Sequence, residues 1–205
     1  FLCSPANPTG QALPLETVRM LAQALRGRAI LVIDEAYVEY SSIDSAASLL
    51  DEYHKLVVLR TLSKAHAMAG ARVGALLADP AVIAVLRNLS APYPVAAPSA
   101  SLALAALSEP GVAQSGLRCG EAVAERNALL GSLVHIAGVR SVYASEGNFL
   151  LVRFEDAQQA FERLLSAGVV VRDVRAMPQL HDALRISIGT PAENAQLLAA
   201  LRQGA

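Results

Sequence analysis

Four short stretches of this sequence carry side chains that could do chemistry, and they follow one another in a fixed order. Asn7-Pro8-Thr9-Gly10 comes first, Asp34 ends an apolar run, Ser63-Lys64 follows a second apolar run, and Arg72 lies eight residues beyond the lysine. A lysine amine attacks a carbonyl only in its uncharged form, so it needs a site that favours that form. The guanidinium of Arg72 presents a planar set of donors that suits a phosphate.

Asp34 would supply a third part of the same chemistry. A carboxylate at the end of a strand can pair with a protonated ring nitrogen, while Lys64 holds a carbonyl group as a Schiff base. Taken singly, each feature has an ordinary explanation, such as a turn, a strand-end acid or a surface ion pair. Their order, each just after a candidate strand, predicts instead a pyridoxal phosphate (PLP) site where parallel strands end.

The elements that would position these residues alternate between strands and helices. Helical spacing of apolar residues predicts helices at 14–26, 81–89, 99–106, 120–137, 157–167 and from 191 onward. Short apolar runs predict strands at 1–4, 29–33, 56–59, 73–78, 139–143, 149–154, 169–171 and 184–188. The continuous runs at 29–33, 56–59 and 73–78 are typical of strands buried on both faces.

A proline-rich stretch at 91–98 predicts a boundary, because its prolines remove backbone donors and fix φ. We therefore predict two domains. Residues 1–92 would be an α/β part with a mostly parallel sheet and helices. Residues 93–205 would be a smaller α+β domain.

Composition excludes several classes of protein. Hydrophobic residues make up 54% and charged residues 17% of the 205, which predicts a packed core rather than disorder. A net charge of -1 gives no electrostatic footprint for nucleic acid or for an acidic membrane face. Cys3 and Cys119 fit neither a disulfide framework nor a metal site. We predict a cytoplasmic protein with no metal, no nucleic-acid partner and no membrane span.

The motifs resemble those of the fold-type I, class I/II PLP-dependent aminotransferases over essentially the whole chain. This resemblance rests on residues 7–10, 34–37 and 63–74. The later stretches 171–173 and 184–190 are most similar to the histidinol-phosphate aminotransferase subfamily. Members carry a large N-terminal portion before the Asn-Pro-Thr-Gly motif, so the resemblance implies that residues 1–92 are the C-terminal part of a PLP-binding large domain. We therefore expect this chain, which opens on Phe1, to be a C-terminal fragment that is inactive alone.

The resemblance implies a role for each site residue. Lys64 would be the catalytic residue, which attaches PLP and then moves a proton between the substrate carbon and the cofactor. Asp34 would pair with the pyridine nitrogen. The remaining cofactor contacts, to the phenolic oxygen and the phosphate, would come from Asn7, Tyr37, Thr61, Ser63 and Arg72.

Arg172, Arg185 and Asn7 are the predicted substrate-binding residues. Histidinol phosphate carries a phosphate, and the co-substrate glutamate carries two carboxylates, so a pair of arginines could serve both anions in turn. For Arg172 a structural ion pair with Asp173 is the alternative. The resemblance implies transamination of histidinol phosphate with glutamate and 2-oxoglutarate in histidine biosynthesis, by a homodimer.

Two other functions stay open at this level. One is another PLP enzyme of the same fold, such as a threonine-phosphate decarboxylase or an aromatic aminotransferase. The other is a non-catalytic aminotransferase-like domain that binds PLP for sensing. Product analysis separates the enzymes, because transamination needs an oxo-acid acceptor and decarboxylation does not.

Overall fold

The computed structural model describes residues 1–202, in which contacts group into two compact units. The first unit contains Phe1–Pro5 and Ala12–Cys119, and the second contains Ala6–Gln11 and the residues from Gly120 onward. Residues 203–205, the end of the predicted second domain, lie outside the described part. Among residues 1–202, no helix has the length and apolar character that crossing a membrane requires.

The first unit is built on a four-stranded sheet with helices. Its elements are β1 (Leu2–Cys3), α1 (Leu15–Ala24), β2 (Leu31–Asp34), β3 (Leu56–Thr61), β4 (Gly74–Ala78), α2 (Pro80–Leu89) and α3 (Ala97–Ala106). The sheet order is β1-β2-β3-β4, with the first two strand pairs parallel and the third antiparallel. The α/β class predicted from the sequence is confirmed.

Burial differs between the central strands and β4. Alternate residues of β2 and β3, such as Ile33 and Val58, pack against Val18 of α1, and the residues between them are buried as well. The prediction of strands buried on both faces is therefore correct for residues 31–33 of β2 and 56–58 of β3. It is wrong for Ala29 and Ile30, which precede β2 and are exposed. It is also wrong for β4, whose Leu77 is exposed, because among the described residues no side chain of β4 joins the cluster in which α1 packs on β2 and β3.

The second unit is α+β. Helix α4 (Glu109–Leu133) enters it at Gly120, and the further elements are β5 (Val139–Val142), β6 (Phe149–Phe154), α5 (Ala157–Ser166), β7 (Arg172–Asp173), β8 (Ala183–Ser187) and α6 (Pro191–Arg202). The sheet order is β5-β6-β8-β7, and every pair is antiparallel. The three helices cover one face, where Leu150, Leu184 and Ile186 are fully buried. The opposite face carries Arg185.

Two predicted elements differ from the structure. The valine run at 169–171 is not a strand, because Gly168 adopts φ +75 and the N–H of Val169 bonds back to the carbonyl of Leu164, which ends α5. The strand in this region starts at Arg172, three residues after the predicted start. Helix α4 begins eleven residues before the predicted start at 120, since its first turns carry small and polar residues without a clear apolar period.

The compact units divide inside α4, after Cys119. The sequence predicts a domain boundary after residue 92, within the proline-rich stretch. That stretch is irregular up to residue 96, and Ala97 and Pro98 form the first turn of α3, where a proline needs no backbone donor. The domain boundary itself stays a prediction.

Candidate cofactor and anion sites

The carboxyl ends of the parallel strands in the first unit carry three of the predicted cofactor residues. Asp34 is the last residue of β2, and its Oδ1 accepts a hydrogen bond of 3.1 Å from the N–H of Ala36. Thr61 ends β3, and its hydroxyl donates to Ser63 Oγ at 3.0 Å. Because β2 and β3 are parallel and in register, this carboxylate and these hydroxyls lie at one edge of the sheet.

Lys64 follows directly, with an exposed side chain. Its Nζ lies 5.3 Å from the centroid of the Tyr37 ring, a cation–π distance, and Tyr37 itself is buried. Two residues further on, the His66 ring nitrogen Nδ1 is 3.0 Å from Oγ of Ser115 on α4. The lysine loop is thus anchored beside Lys64 while the amine remains accessible.

Arg72 ends a single 3-10 turn formed by Ala69–Ala71. Its backbone is left-handed, with φ 55, and its Nη1 donates to the carbonyl of Ala69 at 2.9 Å. The side chain is exposed. The same unit therefore contains Asp34, Tyr37, Thr61, Ser63, Lys64 and Arg72.

A buried charged network supports the turn after Asp34. Glu35 is 3% exposed, and its carboxylate accepts from Arg60 Nε at 2.9 Å and from Ser45 Oγ at 2.7 Å. It also accepts from the N–H of Ala46 at 2.6 Å. Arg60 in turn donates to Glu39 at 3.1 Å. With two hydroxyl or amide donors and a cation around it, the Glu35 carboxylate is well compensated for its burial.

The second unit brings two cations onto one face of its sheet. Arg172 on β7 and Arg185 on β8 are direct cross-strand partners. Like charges in such positions destabilise a sheet unless an anion or another polar group compensates them. Asp173 does not do so for Arg172, because its carboxylate is bonded to Arg175, which holds the pKa of Asp173 down at about 2. The ion-pair alternative for Arg172 is therefore not favoured.

Arg185 is held on several sides. Its Nη1 donates to Asn7 Oδ1 at 2.9 Å, and its guanidinium lies 5.1 Å from the centroid of the Phe149 ring. Its Nε is buried and bonds to no group within residues 1–202. Asn7, predicted from the sequence to serve both cofactor and substrate, thus belongs with the arginines of the second unit.

The match to known proteins covers nearly the whole chain. The family model for aminotransferase class I and II matches residues 1–201. The chain belongs to the class I and II aminotransferase family. It is 57% identical over 203 residues to a histidinol-phosphate aminotransferase of Xanthomonas campestris pv. campestris strain B100, covering 99% of this chain and 56% of that protein. The chain therefore spans about half the length of the curated relatives it matches.

Two solved structures share the aminotransferase fold. One is the histidinol-phosphate aminotransferase of Sinorhizobium meliloti in complex with pyridoxal 5'-phosphate, with TM-score 0.85, 27% identity, and coverage of 98% of this chain and 56% of that one. The other is the L-threonine-O-3-phosphate decarboxylase of Porphyromonas gingivalis, with TM-score 0.87, 24% identity, and coverage of 98% and 62%. The second likeness concerns the fold alone, which transaminating and decarboxylating proteins share.

The donors in the first aminotransferase unit fit PLP by their chemistry. A carboxylate at the end of β2 suits a pyridinium nitrogen, and an accessible amine suits the aldehyde carbon. The two hydroxyls of Thr61 and Ser63 and the exposed guanidinium of Arg72 are groups that suit a dianionic phosphate. The hydroxyls of Thr61 and Ser63 already bond to each other, so their orientation is set before any phosphate binds.

Sequence reasoning missed the residues that support this site. In the sequence, Glu35 is simply part of the motif at 34–37, and nothing in its local pattern distinguishes a buried acid from an exposed one. In the second unit, Arg126 on α4 is buried and donates to the carbonyl of Gly147. It could have been found, because it stands in helical register with Leu129 and Leu133, where an apolar residue is expected. The support that Phe149 gives to Arg185 has no signal in the sequence.

Proposed function

We propose that this chain is part of a PLP-dependent aminotransferase that transfers the amino group of histidinol phosphate to 2-oxoglutarate, giving glutamate. The cross-strand pair of Arg172 and Arg185 carries the proposal. Two adjacent guanidinium groups suit a phosphate on one substrate and a carboxylate on the other. The 57% identity to a protein named histidinol-phosphate aminotransferase supports the same substrate.

Lys64 is the proposed catalytic residue, and it would both attach the cofactor and carry a proton on Nζ to and from the substrate carbon. Its exposed amine, next to an anchored loop, supports that role. When bound, PLP supplies an electron sink for the electron pair left on the substrate carbon. Asp34 would bind the ring nitrogen and keep it protonated.

The phosphate of the cofactor would be held by Ser63, Thr61 and Arg72, and the buried Tyr37 would donate from its hydroxyl to the phenolic oxygen. These assignments follow from the donor set and from the family resemblance. The cofactor contact of Asn7 stays a prediction, while its bond to Arg185 supports a substrate role. In that role, Asn7 would fix the direction in which the guanidinium points.

The activity is proposed for a protein of the relatives' length, since the chain spans 56% of such a relative. We propose that the 205 residues alone do not turn over. The homodimer and the cytoplasmic location stay parts of the proposal. Exposed apolar side chains on the first unit, such as Leu89 (78%) and Leu104 (74%), support burial of this surface against further protein.

The proposal is tested by Arg185→Ala in a protein of the relatives' length. Charge-assisted hydrogen bonds contribute about 1.5–3 kcal/mol each, so KM for histidinol phosphate and for glutamate should both rise by about tenfold to a hundredfold. Covalent attachment at Lys64 should be unchanged. Arg140→Ala is the matched control, because Arg140 lies in the same unit with an exposed side chain.

Product analysis completes the test. Turnover should require 2-oxoglutarate, and no carbon dioxide should form. Unchanged KM for both substrates in Arg185→Ala would contradict the anion assignment. Turnover without an oxo acid, with release of carbon dioxide, would make the protein a decarboxylase instead.

A further inference from the structure

Arg126 is a buried cation in the core-facing stripe of α4. It is 6% exposed and follows the same helix face as Leu129 and Leu133. Desolvation lowers its pKa, and the negative charge of Glu146 acts in the opposite direction. A buried charge of this kind is costly, and an apolar residue of similar volume often stabilises a protein more. Stability of the core alone therefore does not account for an arginine here.

The guanidinium is used to hold the 145–147 loop, which precedes β6. Arg126 Nη1 donates to the carbonyl of Gly147 at 2.9 Å. The N–H of the same glycine donates to Ser145 Oγ at 3.0 Å. Both backbone groups of Gly147 are thus bonded to buried side chains.

The 145–147 loop in turn holds the turn at residues 7–10. The N–H of Glu146 donates to the carbonyl of Gly10 at 2.7 Å. Gly10 has φ +77, and a side chain there would overlap with Oγ and Cβ of Ser145. Only glycine allows this contact, so the turn and the loop are packed backbone to side chain without a gap.

The turn at 7–10 and the 145–147 loop both support groups that contact Arg185. The turn presents Asn7, which accepts the hydrogen bond from Arg185 Nη1. The loop also packs closely on the ring of Phe149, because a Cβ atom added to Gly147 would lie only 2.8 Å from Phe149 Cε1. The same ring lies against the guanidinium of Arg185. The two groups that orient Arg185 are therefore both supported by the loop that Arg126 fixes.

We propose that Arg126 is a positioning residue for Arg185, and that it sets the affinity of the second unit for the anionic group of the substrate. This inference rests on the proposed function, because it takes Arg185 as the anion-binding residue. Every residue that it uses belongs to the second unit of the chain.

The experiment titrates the 205-residue chain with inorganic phosphate and follows the Nε–H NMR signals of Arg172 and Arg185. Arg126→Met should raise the dissociation constant by about threefold to tenfold, the range of couplings carried through neighbouring contacts. Arg126→Lys keeps the charge and one donor to Gly147, so it should restore most of the affinity. Arg118→Met, an exposed arginine of the same helix, is the matched control and should leave the constant unchanged.

A purely structural role would lower the unfolding midpoint of Arg126→Met and leave the phosphate constant of the folded protein unchanged, and that result would overturn the inference. If Arg126→Met does not fold, Ser145→Ala removes the bond to Gly147 from the other side and should raise the constant about twofold to threefold. An unchanged constant in Ser145→Ala would then overturn it.

Arg185→Ala separates this inference from the proposed function. In Arg185→Ala, phosphate binding is followed by the NMR signal of Arg172. If the dissociation constant is unchanged, the anion site and the inference built on it both fail. If Arg185→Ala weakens binding while Arg126→Met and Ser145→Ala leave it unchanged, the anion site stands and the positioning role of Arg126 is wrong.

Discussion

The two units fix different parts of their functional residues. In the first unit the backbone around the strand ends is anchored, by Glu35 under the turn after Asp34 and by His66 in the lysine loop, while the exposed Lys64 amine lies over the ring of Tyr37. In the second unit the guanidinium of Arg185 is itself held, by Asn7 and by the ring of Phe149.

This difference corresponds to two kinds of chemistry. A residue that carries a proton between atoms has to move, so only its backbone should be fixed. A residue that binds an anion gains affinity when its geometry is set in advance, because less side-chain freedom is lost on binding. Under the proposed function, the exposed Lys64 amine suits the first task and the Arg185 guanidinium, held by Asn7 and Phe149, suits the second.

The largest effect is expected at Lys64. With PLP and borohydride, a protein of the relatives' length should give a reduced adduct on Lys64, and Lys64→Ala should abolish that adduct and lower turnover by at least about 10²- to 10⁴-fold. Lys55 is the only other lysine of the 205 residues, so Lys55→Ala is a matched control that should keep both the adduct and the turnover. Peptide mapping by mass spectrometry measures the result. An adduct that persists in Lys64→Ala would show that another amine attaches PLP.

A smaller effect is expected when the backbone support in the first unit is removed. Glu35→Gln leaves Arg60 without its buried partner, which should lower the free energy of unfolding by about 2–4 kcal/mol. This is less than the roughly 3–5 kcal/mol of a fully buried pair, because the Arg60 side chain is 28% exposed. Urea unfolding followed by circular dichroism measures it. Glu52→Gln breaks the exposed pair with Arg19 and should cost less than about 1 kcal/mol. Equal losses in the two variants would mean that Glu35 is not a special anchor.

The smallest effect concerns the arginines of the second unit. The side-chain hydrogen bond from Arg175 lowers the pKa of Asp173 from 3.8 to about 2, so Asp173 favours the folded state above about pH 4, and that contribution is lost as the pH falls towards 2. Arg175→Gln should return the pKa towards 3.8, and Arg172→Gln should change it much less. NMR titration of the Asp173 carboxyl carbon measures both. A larger shift in Arg172→Gln would mean that Arg172 is a structural partner of Asp173 and is not available for an anion.

Much of the fold could be predicted because the patterns are local. The continuous apolar runs at 29–33 and 56–59 have the composition of buried parallel strands, and the structure places β2 and β3 there. The same reasoning failed for 169–171, because the helix ends at Gly168 and the N–H of Val169 caps it by bonding to the carbonyl of Leu164. It also overestimated the burial of β4, since burial depends on which neighbours a strand finds and not on its own composition.

The candidate site divides in the same way. The sequence by itself indicated which chemistry to expect, because Asp34 and Ser63-Lys64 follow predicted strands and the motifs resemble those of the family whose model matches residues 1–201. Only the tertiary structure decided what supports those groups. Asn7 and Arg185 are 178 residues apart in the chain, and Arg126 reaches them through a third segment. No local pattern encodes such contacts, because they depend on how distant segments pack, whereas a motif depends only on its neighbours in the chain.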